Sequence, residues 1–140
     1  VANTQGIGGA AKQAALSAIV DGKTLKAALY LASATVGPST ATYTSTGEVT
    51  GTNYSAGGVS VTNANTAGLT STTSYWTPSA SIAFTTVTLS TAFDAVMIYS
   101  TTDSNRNIGV FTFGSQTVTA GTFTLTMPTN DATTGLVRFA

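Results

Sequence analysis

Two short apolar runs separated by one polar turn restrict this chain more than anything else in it. Ala95-Val96-Met97-Ile98-Tyr99 is followed by a polar stretch over 100–107 and then by Ile108-Gly109-Val110-Phe111-Thr112-Phe113. Both runs are rich in β-branched and aromatic residues and bounded by Ser, Thr, Asp and Asn, so they read as the two strands of a hairpin. Neither alternates cleanly. Met97 and Tyr99 oppose Val96 and Ile98, and Ile108 and Val110 oppose Phe111 and Phe113. A strand that is apolar on both faces belongs in the middle of a sheet, covered on each side by another layer. The hairpin is therefore expected to form the core.

The rest of the chain is ordered around it. Residues 1–9 carry Gly6, Gly8 and Gly9 and only one strong apolar handle, Ile7, and read as a flexible arm. Over 10–21, Leu16, Ile19 and Val20 share one side at helical spacing, and Gly22 stands where a helix terminates. One short helix follows from this, feeding a half-buried strand through Leu25, Ala27, Leu29 and Leu31. Gly37-Pro38 marks a loop over 35–46 with a short edge strand around 41–43, and Gly57-Gly58 opens a strand at Val59 and Val61. Residues 63–74 read as a surface loop, or an edge strand, ended by Tyr75-Trp76-Thr77-Pro78.

Over 81–89 the apolar phase slips by one residue at Thr85-Thr86, as at a bulge or a bend. Residues 114–119 read as a turn through Ala120-Gly121 into a strand in which Phe123, Leu125 and Met127 alternate with threonines. A last strand runs through Leu136, Val137 and Phe139. The reading is mainly β: an antiparallel β-sandwich of about seven or eight strands with one short N-terminal helix and a flexible N-terminal arm, organised as arm 1–9 and a single domain 10–140 with leading helix 10–21.

Size and composition bear on function by exclusion. A chain of 140 residues and 14.0 kDa buries about two-thirds of its unfolded surface, enough for one core without a staple. It has no cysteine and no histidine, which removes disulfide scaffolds, the usual zinc sites, thiol nucleophiles and imidazole acid/base chemistry. No cofactor is expected. Charged residues are 7% of the chain against roughly a quarter in an average soluble domain, and the surface is left to Ser and Thr. Five basic and five acidic residues cancel, leaving no electrostatic footprint for nucleic acid or an anionic membrane. Near-zero charge favours association, so assembly with copies of itself or a partner is expected. No apolar run is long enough to span a bilayer, 10–20 does not read as a secretory signal, and the chain reads as mature and soluble.

Motifs that carry chemistry elsewhere are incomplete here. Residues 6–12 have the glycines of a phosphate loop, but Lys12 is misplaced and no strand precedes them. Asp103, Asn105 and Asn107 open like a calcium loop, yet position twelve is Gly114 rather than Glu, and a plain hairpin turn explains them. Asp21, Glu48, Asp94, Asp103 and Asp131 are scattered, mostly in turns, and Asn53-Tyr54-Ser55 is a glycosylation sequon of a kind common by chance. Neither a catalytic nor a metal site is assigned. Tyr75 and Trp76 admit two readings, an interface pair or a core Trp closing the end of the sandwich.

Several segments together resemble a family of small tailed-bacteriophage virion proteins. They are the helix followed by Gly22-Lys23-Thr24-Leu25-Lys26-Ala27-Ala28-Leu29-Tyr30, the run Glu48-Val49-Thr50-Gly51-Thr52-Asn53-Tyr54-Ser55-Ala56-Gly57-Gly58, Ala95–Tyr99, 108–115 and 119–125. The family's usual acid and lysine around 113–117 are absent, with Thr112, Ser115 and Gln116 in that region. The resemblance implies a structural component of the particle rather than an enzyme. A neutral, Thr-rich body with an N-terminal arm suits a capsid decoration (cement) protein on the outer surface of the phage head, expected as a trimer at local threefold sites, with the major capsid protein and copies of itself as partners. Gln5 and Ile7 on the arm, and Tyr75 and Trp76, are the expected interface residues. A neck or tail component, or a host-surface or carbohydrate-binding module, are the rival readings.

Overall fold

The computed structural model describes residues 2–140. One helix and seven strands follow in the order α1 (Gly9–Val20), β1 (Leu25–Leu31), β2 (Val59–Val61), β3 (Gly68–Thr70), β4 (Thr73–Trp76), β5 (Ile82–Ser100), β6 (Arg106–Leu125) and β7 (Val137–Phe139). The protein is mainly β, and every sheet pairing is antiparallel. The chain, read above as one domain over 10–140, divides by its own contacts into two compact units: residues up to 22 with 63–79 and 127–140, and residues 23–62 with 80–126.

In the first unit α1 packs on a three-stranded sheet of order β3-β4-β7. Leu16 and Val20 are fully buried on the face their spacing specifies. The helix stops because Gly22 takes the left-handed conformation at φ +66°, while the Asp21 N–H still donates to the Ser17 carbonyl. The side chain of Asn63 donates to the Val20 carbonyl at 2.6 Å, satisfying a group that the helix end leaves without an internal partner. Asp21 accepts from the Ala67 N–H at 2.7 Å, so the 63–67 connection is tied to the end of α1. Of the two expectations for 63–74, loop or edge strand, the segment contains the short edge strand β3, whose Gly68 lies opposite Tyr75; a side chain on Gly68 would strike the phenol ring.

In the second unit a four-stranded sheet runs β2-β1-β5-β6. β1 is flanked along its whole length, by β5 on one side and on the other by β2 and then the segment around Glu48, where the Leu31 N–H donates to Gly47 and the Val49 N–H to Leu29. The C-terminal half of β5, Ala95 to Ser100, is buried on both faces, as its unbroken apolar run requires.

The second run of the hairpin departs from expectation. β6 is the edge of its sheet, and none of its residues is fully buried. Among the described residues of this unit β5 is the strand that pairs with it, and its other flank is covered only at its start. The expected edge strand at 41–43 is reduced to a single bridge, Thr42 to Arg106, at the start of β6.

The β5–β6 ribbon is also not straight. The rings of Phe113 and Phe123 lie 5.3 Å apart, although ten residues of extended strand span about 33 Å. The ribbon must therefore double back between them. Its pairing shifts register at several points from Phe84 to Ala95, with Thr86 and Ala120 at positive φ. The slip at Thr85-Thr86 and the turn at 114–121 mark this fold, although the hydrogen-bonded strand continues through it. Phe93 sits inside the bend, edge-on to Phe123 at 5.0 Å and to Phe113 at 6.0 Å, and Phe84 carries the ring cluster on to Tyr54 at 6.0 Å.

Candidate functional site

Two features are candidates, one at the surface of the first unit and one inside the second. At the surface, residues 2–8 carry no secondary structure and every one of them is exposed; Val1 of the expected arm lies outside the described residues. The arm ends at Gly8, the N-cap of α1, one residue earlier than expected, because Gly9 is already helical and lies against Ser71 and Thr72. Ile7 is 70% exposed, a large apolar side chain held out of the core. Thr4, Gln5, Gly6 and Ile7 line an open hollow of about 350 Å³ with Lys12 and Thr72. In its lining the Lys12 ammonium donates to the Thr72 carbonyl at 3.1 Å. The structure thus brings Gln5 and Ile7 to one place.

It does not bring Trp76 to the surface. Trp76 is fully buried, and its indole N–H donates to the Asn63 side-chain oxygen at 3.1 Å. Of the two readings of this residue, the core one describes its environment, and no face of the ring is open to a partner. Tyr75, its neighbour on the other side of β4, is half-buried over Gly68 and beside Gly135.

Inside the second unit, Glu48 is only 7% exposed and its carboxylate is the centre of a hydrogen-bonded group. Tyr43 donates to one oxygen at 2.5 Å; Tyr54, at 2.7 Å, and the Gly57 N–H, at 2.8 Å, donate to the other. Three donors onto one carboxylate satisfy the charge that burial would otherwise leave isolated. The Tyr54 hydroxyl also accepts from the Leu29 N–H, and Tyr99 donates to the Gly57 carbonyl while stacking on Tyr43 with centroids 4.8 Å apart. Tyr30 donates to the Thr44 carbonyl at 2.6 Å. The group therefore fastens the connection 32–58 onto β1 and β5.

Burial pushes all four phenols to higher pKa, and the nearby Glu48 charge adds to the shift; Tyr30 is raised to about 12, and Tyr43 and Tyr54 donate directly to the carboxylate that holds them protonated. Phenols held in this state are weaker acids than free tyrosine, and the carboxylate is engaged on both oxygens. The arrangement braces packing. Sequence reasoning counted Glu48 among scattered turn acids; the signal that marks it is the run 48–58 itself, which supplies Glu48, Tyr54 and Gly57 within eleven residues.

The remaining polar motif also resolves into structure. Asp103 pairs with Lys23 at 3.1 Å, and Asn107 donates to the Thr40 carbonyl at 2.8 Å, so the two tie the β5–β6 turn to the segment before β1 and to the connection after it. No helix among the described residues is long and apolar enough to cross a membrane. Compared with known proteins, the chain matches no family model, no curated protein and no solved structure.

Proposed function

We propose that this chain is a structural protein of a bacteriophage virion, a decoration (cement) protein that seats on the outer surface of the head, binding the major capsid protein and copies of itself. The body is read as a β-sandwich, consistent with the doubled β5–β6 ribbon, which stacks rings between its two halves. The observation that carries the reading is the exposed arm: seven consecutive exposed residues, 2–8, that offer Ile7 to solvent immediately before a well-packed helix. Burying that side chain against a neighbour contributes about 1.5–3 kcal/mol per copy, and many copies on one shell add avidity. A surface with few charges and many hydroxyls suits dense packing beside other proteins without repulsion.

A neck or tail position uses the same chemistry and differs only in where the protein is found. A carbohydrate-binding module is less well supported, because among the described residues the large apolar side chain that stands exposed is Ile7 and not an aromatic ring.

The reading is tested by removing the arm. Deleting residues 1–8, which stops short of α1, should leave the denaturation midpoint unchanged while abolishing attachment to heads stripped of this protein. Normal decoration by the folded, truncated chain would refute the role given to Ile7.

A further inference from the structure

A phenol gives up an electron fast only when its proton leaves in the same step, because the radical cation formed otherwise is high in energy. A base within hydrogen-bond reach therefore decides which tyrosine of a protein is oxidised first. Cysteine, the usual first target of oxidants, is absent from this chain. Its single tryptophan, Trp76, is fully buried, with its N–H on the Asn63 side-chain oxygen, a neutral amide and not a base. The tyrosines differ in the same respect. Tyr30 and Tyr99 donate to the backbone carbonyls of Thr44 and Gly57, which do not take up a proton. Among the described residues, Tyr43 and Tyr54 are the phenols that donate to a carboxylate, that of Glu48. The Tyr54 oxygen also accepts from the Leu29 N–H, a bond that draws charge from the group that must lose it. Tyr43 has the shorter bond, 2.5 Å against 2.7 Å, and is half-exposed.

We propose that Tyr43, with Glu48 as its base, is the site of one-electron oxidation in this chain, the residue that an outer-sphere metal-complex oxidant oxidises first. The electron leaves the Tyr43 ring for the oxidant, which is reduced by one electron, and the hydroxyl proton passes to Glu48 Oε1 along the 2.5 Å bond. The products are a neutral tyrosyl radical and an uncharged Glu48 acid. Glu48 keeps its place when protonated, because its other oxygen still accepts from Tyr54 and the Gly57 N–H. The new acid O–H donates back to the radical oxygen, so reduction of the radical returns the proton by the same path. Tyr99 is stacked on Tyr43 with centroids 4.8 Å apart. An electron drawn from the Tyr99 ring is replaced from Tyr43, where the proton has somewhere to go. This inference stands on the Glu48 group alone and does not require the virion reading.

The test is flash photo-oxidation of the whole chain by tris(bipyridine)ruthenium(III), generated from the ruthenium(II) complex with persulfate as electron acceptor, and read by electron paramagnetic resonance of samples frozen at set times. Wild type should give a neutral tyrosyl radical. Tyr43→Phe, which keeps the ring stacked on Tyr99, should lose most of it. Tyr54→Phe also removes a donor from Glu48 and loosens the same packing, yet should leave the radical yield unchanged. Glu48→Gln should slow radical formation about tenfold or more. Its rate should also rise between about pH 6 and 8, as water and buffer take over the proton, whereas wild type carries its own base and stays flat. The ionisable groups around the pair are Tyr30, Tyr54, Tyr99 and, beside Gly57, Lys26, and phenols stay protonated across that window. An undiminished radical in Tyr43→Phe, an equal loss in Tyr54→Phe, or wild-type rate and pH profile in Glu48→Gln would each overturn the proposal.

Discussion

Removing the Glu48 carboxylate should destabilise the second unit by an amount that its three hydrogen bonds set. In Glu48→Ala the Tyr54 hydroxyl and the buried Gly57 N–H lose their acceptor, at about 1–3 kcal/mol each. Tyr43 is half-exposed and can turn its hydroxyl to water. Loss of the carboxylate also relieves its own burial cost, so the net expectation is about 3 kcal/mol. Glu48→Gln keeps an acceptor for Tyr54 and Gly57 and gives up only the strengthening from charge, about 1 kcal/mol. With a urea dependence of about 2 kcal/mol per molar, the midpoints should fall by about 1.5 M and about 0.5 M, followed by near-ultraviolet circular dichroism of the clustered tyrosines. The account of the cluster fails if the alanine variant lies within about 0.5 kcal/mol of wild type, or if the glutamine variant falls as far as alanine.

Two further consequences concern the same unit. The phenols of Tyr30, Tyr43, Tyr54 and Tyr99 have folded pKa values above that of an unfolded tyrosine, about 10. Their contribution to stability is complete below that pH and is lost as pH climbs through the folded values, about 12 for Tyr30. Phenolate absorbance and unfolding should therefore rise together above about pH 10; ionisation of these tyrosines with the tertiary spectrum intact would contradict this. Gly58 has φ +79°, and a side chain there would sit 1.7 Å from the Ala27 carbonyl oxygen, so Gly58→Ala should cost more than about 3 kcal/mol. Gly37→Ala meets nothing within 4 Å and should move the urea midpoint little.

What the residues disclose before folding is local. The helical stripe of Leu16 and Val20, its stop at Gly22 and the slip at Thr85-Thr86 follow from spacing and backbone preference and appear where the pattern puts them. The strand from Leu25 starts where expected but is not half-buried, because Ala34, Val36 and Tyr43 cover the face that carries Ala28 and Tyr30. The position of β6 does not, because an apolar run says that a strand is half-buried or buried without saying how many neighbours it has. Nor does the doubling of the ribbon, which depends on Phe93, Phe113 and Phe123 meeting across a bend. Glu48 was hidden for the same reason. Its partners Tyr43, Tyr54 and Gly57 are near in sequence, but Tyr99, which closes the group through Gly57, arrives from another strand. Trp76 is ambiguous in sequence because its burial depends on Asn63, distant along the chain, which bonds both the helix end and the indole.

The measurement that bears most directly on the functional reading is an image of the particle. On the proposed reading, electron microscopy of purified virions that carry this chain, labelled with Fab fragments raised against it, should show label spread in a regular lattice over the head. Label confined to a ring at the neck or along the tail, or virions that carry none of this protein, would contradict a role as a head decoration.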